Sequence, residues 1–368
     1  MRMGSLPLKV AVVLPYPVGA VASQRCRVEQ WLGLLGPERV EVSYLPLFSW
    51  QDYRRLYVRG AQLEKGLRTV RALVRRLLDF ASLPPVDAVV VHREAFPLGG
   101  PAMEAWLARR AALVYDFDDA LWLGDTSQEN RWVASLKRPG KVARIVGLAA
   151  ATTVGNDYLA QYARLHGQAV RVIPTTIDVE KARPPGPSAA RGRRVRIGWS
   201  GSPSTVRYLS DIAPVLRRVL ARDDVEMQVV GASCASLPRL PNLGCVPWSE
   251  AEEIERVGAF DIGIMPMPDD PWTRGKCGFK ALLYMSFGVA TIASPVGVNR
   301  EIIQDGESGL LASSGDEWHR ALVRLIEDRE LRSDLGAAGR EVVVERYSGQ
   351  RWAPEFFEVL STAAGHRR

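Results

Sequence analysis

The stretch from Lys276 to Gly288 (KCGFKALLYMSFG), followed at once by VATIASPVG to Gly297, reads as a glycine loop, a short helix, a buried strand and a second glycine loop. A helix start exposes unpaired N–H groups and the positive end of the macrodipole. Lys276 and Lys280 place two cations there, a pattern suited to a diphosphate. On spacing alone, a helix start with two solvated lysines fits as well. Ser200, Gly201 and Ser202, with Ser204 and Thr205, form another such loop after an apolar run. Small residues there let backbone approach a ligand, and the hydroxyls donate to it or cap the next helix. In the first half, Gly19 closes the loop after an apolar run, and Arg25 and Arg27 open the next helix, where they suit a phosphate or carboxylate. His92 ends another such run, and Asp116, Asp118 and Asp119 cluster at the end of the next. Three such carboxylates cannot all be buried and unpaired. They contact arginines such as Arg25, Arg27 and Arg93, or they bind ligand hydroxyls. His166, His319 and His366 fall in helical or terminal contexts, which leaves His92 as the histidine of choice for a catalytic site, with Asp118 and Asp119.

These residues sit at the ends of short β-branched and apolar segments that alternate with helical ones. Strands are expected near 8–14, 40–44, 88–92, 112–116, 151–154 and 170–173. A second series is expected near 195–199, 227–230, 243–246, 262–265, 291–293 and 309–311. Helices fall between, for example over 23–35 and 101–110. Two such alternations predict an α/β chain with two doubly wound, parallel domains, which place ligands at strand C-termini. The breaker-rich run at 181–194 cannot build a core and serves as the linker. The expected domains are 1–178 and 195–349 with a linker over 179–194. The single glycine in the loop at 15–19 leaves no dinucleotide fingerprint, which argues against an NAD-dependent dehydrogenase.

The second half resembles the C-terminal domain of family-4 glycosyltransferases, retaining nucleotide-sugar enzymes of GT-B fold. Cys277, Gly278, Met285 and Gly288 align with the family motif, and Glu301 with its later helix start. The motif's two glutamates fall on Gly275 and Leu283, so both carboxylates are gone. Resemblance implies two Rossmann-like domains facing a cleft, with a last helix over 350–368 crossing back to the first domain. It implies that the second domain binds a nucleotide-sugar donor through Ser200, Gly201, Ser202, Trp248, Lys276, Gly278, Phe279, Lys280, Asn299 and Glu301. Trp248 falls where the family holds its base; a packing role is equally open. Glu301 faces a donor hydroxyl by resemblance, or simply favours a helix start. The first domain, with Gly19, Arg25 and Arg27, takes a glycan, lipid-linked or small-molecule acceptor. No cofactor or metal is expected: Asp269 and Asp270, adjacent and without further ligands, read as a solvated loop. Two rival readings are a sugar-nucleotide epimerase of the same fold and a non-catalytic module that binds anionic surfaces or nucleic acid.

Composition fits two packed domains: 368 residues, 47% of them hydrophobic. The formal charge of +7 suggests an anionic partner. No nucleic-acid motif is present, which disfavours that partner. Cys26, Cys234, Cys245 and Cys277 have no metal or disulfide spacing and read as free thiols of a reducing compartment. The chain opens on a strand with no leader pattern, and no apolar run is long enough to span a bilayer. A cytoplasmic protein is expected, peripheral to the inner membrane face if residues 53–79 touch lipid. That segment interleaves arginines, from Arg54 to Arg76, with leucines and valines. It reads as one or two basic amphipathic helices, either resting on an anionic membrane or presenting an arginine-rich face to solvent.

Overall fold

The computed structural model describes residues 6–56, 60–124, 137–182 and 194–366. They fall into two compact units, Met1–Thr175 with Gly349–Arg368, and Thr176–Ser348. The division lies a few residues before the one expected. Ile177 bridges Ser348, and Ile177 and Ala182 pack into the second unit's core, so the start of the breaker-rich stretch belongs to that unit. Most of the expected linker, residues 183–193, lies outside the described residues.

The first unit carries six parallel strands: β1 (Leu8–Leu14), β2 (Val40–Pro46), β3 (Ala88–His92), β4 (Ala112–Phe117), β5 (Ala151–Val154) and β6 (Val170–Val172), in the order β2-β1-β3-β4-β5-β6. The second carries β7 (Val195–Ser200), β8 (Val225–Val230), β9 (Leu243–Val246), β10 (Ile262–Met265), β11 (Ala290–Ala293) and β12 (Leu310–Leu311), in the order β12-β11-β10-β7-β8-β9. All twelve expected strands are present within two residues, the usual uncertainty of an element's end. Every residue of β3 and β4 is buried, as parallel strands covered on both faces require. Strand order reverses between β1 and β3 and again between β7 and β10. At such a point neighbouring strands send their loops to opposite faces and leave a crevice at the strand C-termini.

The last helix, Gly349–Gly365, is part of the first unit. Its Phe356 and Leu360 are buried with Trp31, Leu32 and Val90, and the Trp31 and Phe356 ring centroids are 5.0 Å apart. Residues 367 and 368 of the expected helix are outside the described set.

Three expectations are corrected. The helix expected over 23–35 is interrupted: a π-helical turn, Arg25–Glu29, separates Ala22–Gln24 from Gln30–Leu35. Arg27, at φ −125° and ψ −107°, marks the kink and is buried. Single π turns of this kind insert one residue and redirect a side chain.

The basic segment forms two helices, Trp50–Leu56 and Gln62–Ala81; Val58 and Arg59 between them lie outside the described residues. Neither face of the long helix is the arginine-rich solvent face that one of the two readings expected. Lys65 and Arg76 point inward and are buried, while Leu63, Leu67, Val70, Val74, Leu77 and Leu78 are exposed. The cause is the sheet end beneath. Arg76 donates to the carbonyls of Leu45 and Leu14, and Arg75 to those of Pro46 and Leu47. A guanidinium fork can serve several carbonyls at once.

Cys234 and Cys245 form a disulfide, with Cα atoms 5.6 Å apart, while Cys26 and Cys277 are buried and not disulfide-bonded. Pairing of β8 with β9 sets Cys245 opposite Val229, and the short turn Cys234–Ser236 follows β8. That brings the two cysteines within bridging range, which sequence spacing did not reveal.

Candidate functional site

In the second unit, the helix Phe279–Ser286 starts at Gly278, whose φ of +71° lies in the left-handed region. A Cβ at Gly278 would stand 2.2 Å from Ile302 Cδ1 and 3.6 Å from Asn299 Oδ1. Glycine therefore brings this helix start against the short helix Asn299–Ile302. No side chain caps the start. Lys276 Nζ lies 4.7 Å from the Trp272 ring centroid and Lys280 Nζ 5.4 Å from that of Trp199. Such cation–π contacts hold a lysine in place without neutralising it. The Lys280 stem crosses Gly201, so that a Cβ there would meet Lys280 Cε at 2.6 Å. At Gly231, where φ is +91°, a Cβ would come within 2.2 Å of the Gly201 carbonyl oxygen and 3.4 Å of Trp248 Cβ. The structure thus gathers Gly201, Trp248, Gly278 and Lys280 at the strand C-termini around β7 and β10.

The remaining expected donor residues differ in what they can offer. Ser202 is exposed, its hydroxyl 2.8 Å from that of Ser204. Glu301 is exposed on the Asn299–Ile302 helix, and Phe279 and Trp248 are partly buried against the core. Asn299 is buried; its Nδ2 donates to the Ser294 carbonyl, and its Oδ1 has no hydrogen-bond partner among the described residues. Ser200 is corrected. Its N–H donates to the Tyr284 hydroxyl at 2.8 Å and its hydroxyl to Glu253 at 2.9 Å, both buried. Ser200 is a latch that ends β7, not a free donor. Glu253 and Tyr284 were not foreseen, because the latch joins three elements far apart in sequence. Leu283, at a lost glutamate position, packs in the core, and Gly275, at the other, is buried. Asp270 accepts from Thr273 N in a capping box and Asp269 pairs with Arg274 at 2.6 Å, so both carboxylates shape the loop leading to Lys276.

In the first unit the strand ends carry a buried polar network. Asp116, at the end of β4, accepts from Arg27 Nη2 at 2.6 Å and from Thr153 at 2.7 Å, and its Oδ2 lies 2.7 Å from His92 Nδ1. Arg27 also donates to the Ile173 carbonyl and stacks over Trp31. Burial would raise the Asp116 pKa; the Arg27 charge and the bonds from His92 and Arg27 outweigh it and hold the carboxyl well below its usual range.

Two assignments change here. Arg27, expected at the acceptor, is fully buried and committed to Asp116. His92, expected to face a ligand, is fully buried too, with Nε2 at 3.3 Å from the Ser23 hydroxyl. Asp118 and Asp119 take the arginine alternative: both pair with Arg93, at 2.8 and 2.5 Å. Arg93 itself sits at φ +62°, unusual for a side-chain-bearing residue. Arg25 is half-buried. Gly19 N donates to Glu29, and Gln24 bonds the Tyr16 and Pro17 backbone, so the loop after β1 is tied down.

Residues 195–328, which hold every second-unit loop described above, match the family model described as Glycosyl transferases group 1. Over those residues the second unit is similar to a glycosyltransferase domain. The comparison with curated proteins by sequence finds no match. Among solved structures, the chain is similar to sucrose-phosphate synthase from Thermosynechococcus elongatus, at 13% identity and TM-score 0.71, covering 98% of this chain and 100% of that one. It is also similar to the catalytic domain of starch synthase IV from Arabidopsis thaliana bound to ADP and acarbose, at 12% identity and TM-score 0.67, covering 98% and 100%. Anabaena HepE in complex with UDP-glucose aligns at 16% identity and TM-score 0.66, covering 96% and 100%. At these identities the likeness establishes the fold, which is GT-B.

Proposed function

We propose that the protein is a nucleotide-sugar-dependent glycosyltransferase with its donor site on the second unit. The observation that carries this reading is the glycosyltransferase match over 195–328, the segment in which Lys280, Gly278, Gly201 and Trp248 gather. Lys276, Lys280 and the start of the Phe279–Ser286 helix would meet the donor diphosphate, and Trp248 its base. Asn299 Oδ1, a buried acceptor lacking a partner beside Gly278, suits a donor hydroxyl. A glycan, lipid-linked or small-molecule acceptor would bind the first unit near Gly19 and Arg25.

The chemistry proposed is retention. The bond from the anomeric carbon to the leaving phosphate oxygen breaks and the bond to the acceptor oxygen forms on the same face. The acceptor proton passes to the leaving phosphate oxygen, and the two lysines stabilise the charge developing there. His92 positions Asp116 and the helix residue Ser23 rather than moving a proton itself. No divalent cation is assigned a role: Asp116, Asp118 and Asp119, the carboxylates best grouped to hold one, already pair with Arg27 and Arg93.

The test is incubation with UDP-, GDP-, ADP- and dTDP-sugars, reading nucleoside diphosphate release with and without added acceptors, in excess EDTA, with the product anomer assigned by NMR. Acceptor-dependent release with retained configuration is expected. No release from any donor, either in EDTA or with added manganese, would overturn the assignment. An inverted product, or activity lost to EDTA and restored by manganese, would overturn the mechanism and keep the class.

A further inference from the structure

The outward face of the Gln62–Ala81 helix is apolar along its length. Leu63, Leu67, Val70, Val74, Leu77 and Leu78 follow the alternating three- and four-residue spacing of one helix face, and their exposures run from 52% to 88%. A helix of 20 residues is roughly 30 Å long, so the strip is long and continuous. Monomers rarely leave so large a contiguous apolar patch to water. The helix's other cations cannot screen it. Lys65 and Arg76 are buried beneath it, Arg75 is bonded to backbone carbonyls, and Arg68 is paired with Asp52 and Glu64.

Arg71 is the exposed cation on that face. Arg54 and Arg55 are exposed on the preceding helix, Arg55 within 3.8 Å of Glu64. The nearest carboxylate, Glu64, is partly exposed beside Arg71 and is already paired with Arg68 and Arg55.

We infer that this face is a docking surface for an anionic lipid bilayer, on which the helix lies in the plane of the interface. Charge decides between lipid and a second copy of the chain. The three- and four-residue spacing would also suit a paired helix, but Arg71 would then enter the interface while the nearest carboxylate on the partner's matching face, Glu64, is already shared by Arg68 and Arg55. Anionic headgroups supply that counter-charge, while the leucines and valines enter the boundary of the acyl region. A single exposed helix also presents a ridge, which a soft surface accepts more readily than a protein groove. The helix lies on the bilayer rather than crossing it: no described helix is long and apolar enough to span one.

The inference does not depend on the glycosyltransferase reading, and its test uses no enzyme assay. The full chain is floated with vesicles of phosphatidylcholine alone and with a minority of phosphatidylglycerol. Partitioning to the anionic vesicles only is expected, with release as salt is raised. Arg71→Glu removes a cation and adds an anion at the surface, and should lower partitioning about 25-fold. Leu67→Gln with Val74→Gln should lower it at least about 100-fold. Both variants should melt like the parent, because these side chains are exposed in the folded protein. A parent chain that stays in the soluble fraction with anionic vesicles overturns the inference. So does equal partitioning to neutral vesicles. A dimer in sedimentation equilibrium that the Leu67→Gln, Val74→Gln variant dissociates would reassign the strip to self-association.

Discussion

Lys276 and Lys280 each hold their ammonium over a tryptophan ring, at the mouth of a helix whose start no side chain caps. Neither belongs to a hydrophobic cluster, so removing either should spare the fold. Replacing either with Ala should weaken nucleoside diphosphate binding by about 1.5–3 kcal/mol, the range for hydrogen bonds to charged groups. Calorimetric titration measures it; unchanged affinity in both single variants would remove the lysines from the site. Asp116 makes a different prediction, about stability. Its folded-state pKa lies below the unfolded value, so its contribution is fully present above the unfolded carboxylate pKa of about 3.9 and is lost as pH falls below that. Asp116→Asn leaves Arg27 buried without its counter-charge, which should cost about 3–5 kcal/mol at pH 7. In urea titrations the gap between parent and variant should narrow as pH drops below about 4, because the unfolded parent then binds a proton that the folded Asp116 resists, and the loss is complete only below the depressed folded-state pKa. A gap that stays constant down to acid pH would mean that the folded-state pKa of Asp116 is not depressed.

At the scale of elements, the disulfide gives a count that chemistry can check. Denatured, unreduced protein should alkylate two thiols, Cys26 and Cys277, and all four after reduction. The bridge closes a short loop, with a sequence separation of 11, so replacing both bridged cysteines with Ser should cost about 2–3 kcal/mol in the chain-entropy account. Four reactive thiols without reductant would refute the bridge. This pairing also marks where sequence reading stopped. Strands were legible because β-branched runs bounded by breakers announce themselves, and the glycine loops because Gly278 and Gly201 permit close approach. Cys234 and Cys245 were not, since their proximity is a product of β8–β9 register. The same holds for the Gln62–Ala81 helix. Its alternation of cations and apolar residues was read correctly as amphipathic. Which face turns outward was left open between lipid and an arginine-rich solvent face, and the carbonyls at the ends of β1 and β2 draw Arg76 inward. Arg27 and Ser200 were misjudged for a related reason. A polar residue at a strand end can serve a ligand or a buried neighbour, and only Asp116, Tyr284 and Glu253, distant in sequence, decide which.

At the scale of the whole chain, the first unit is discontinuous: it is completed by a helix that follows the entire second unit. Phe356 has no exposed surface and packs its ring against Trp31 from the Gln30–Leu35 helix. The first unit's core is therefore unfinished until the last residues are in place. Phe356→Ala removes a buried aromatic and should cost about 3–5 kcal/mol. That loss should fall on the first unit although the substitution lies beyond the second unit in sequence. Limited proteolysis with mapped cleavage sites can locate it, since cleavage follows the population of the opened state when reclosing is fast. The expected result is faster cutting within Met1–Thr175 while the fragment Thr176–Ser348 stays resistant and still binds nucleotide. If the new cuts appear first within Thr176–Ser348, the terminal helix completes the wrong unit in this account, and the division of the chain must be redrawn.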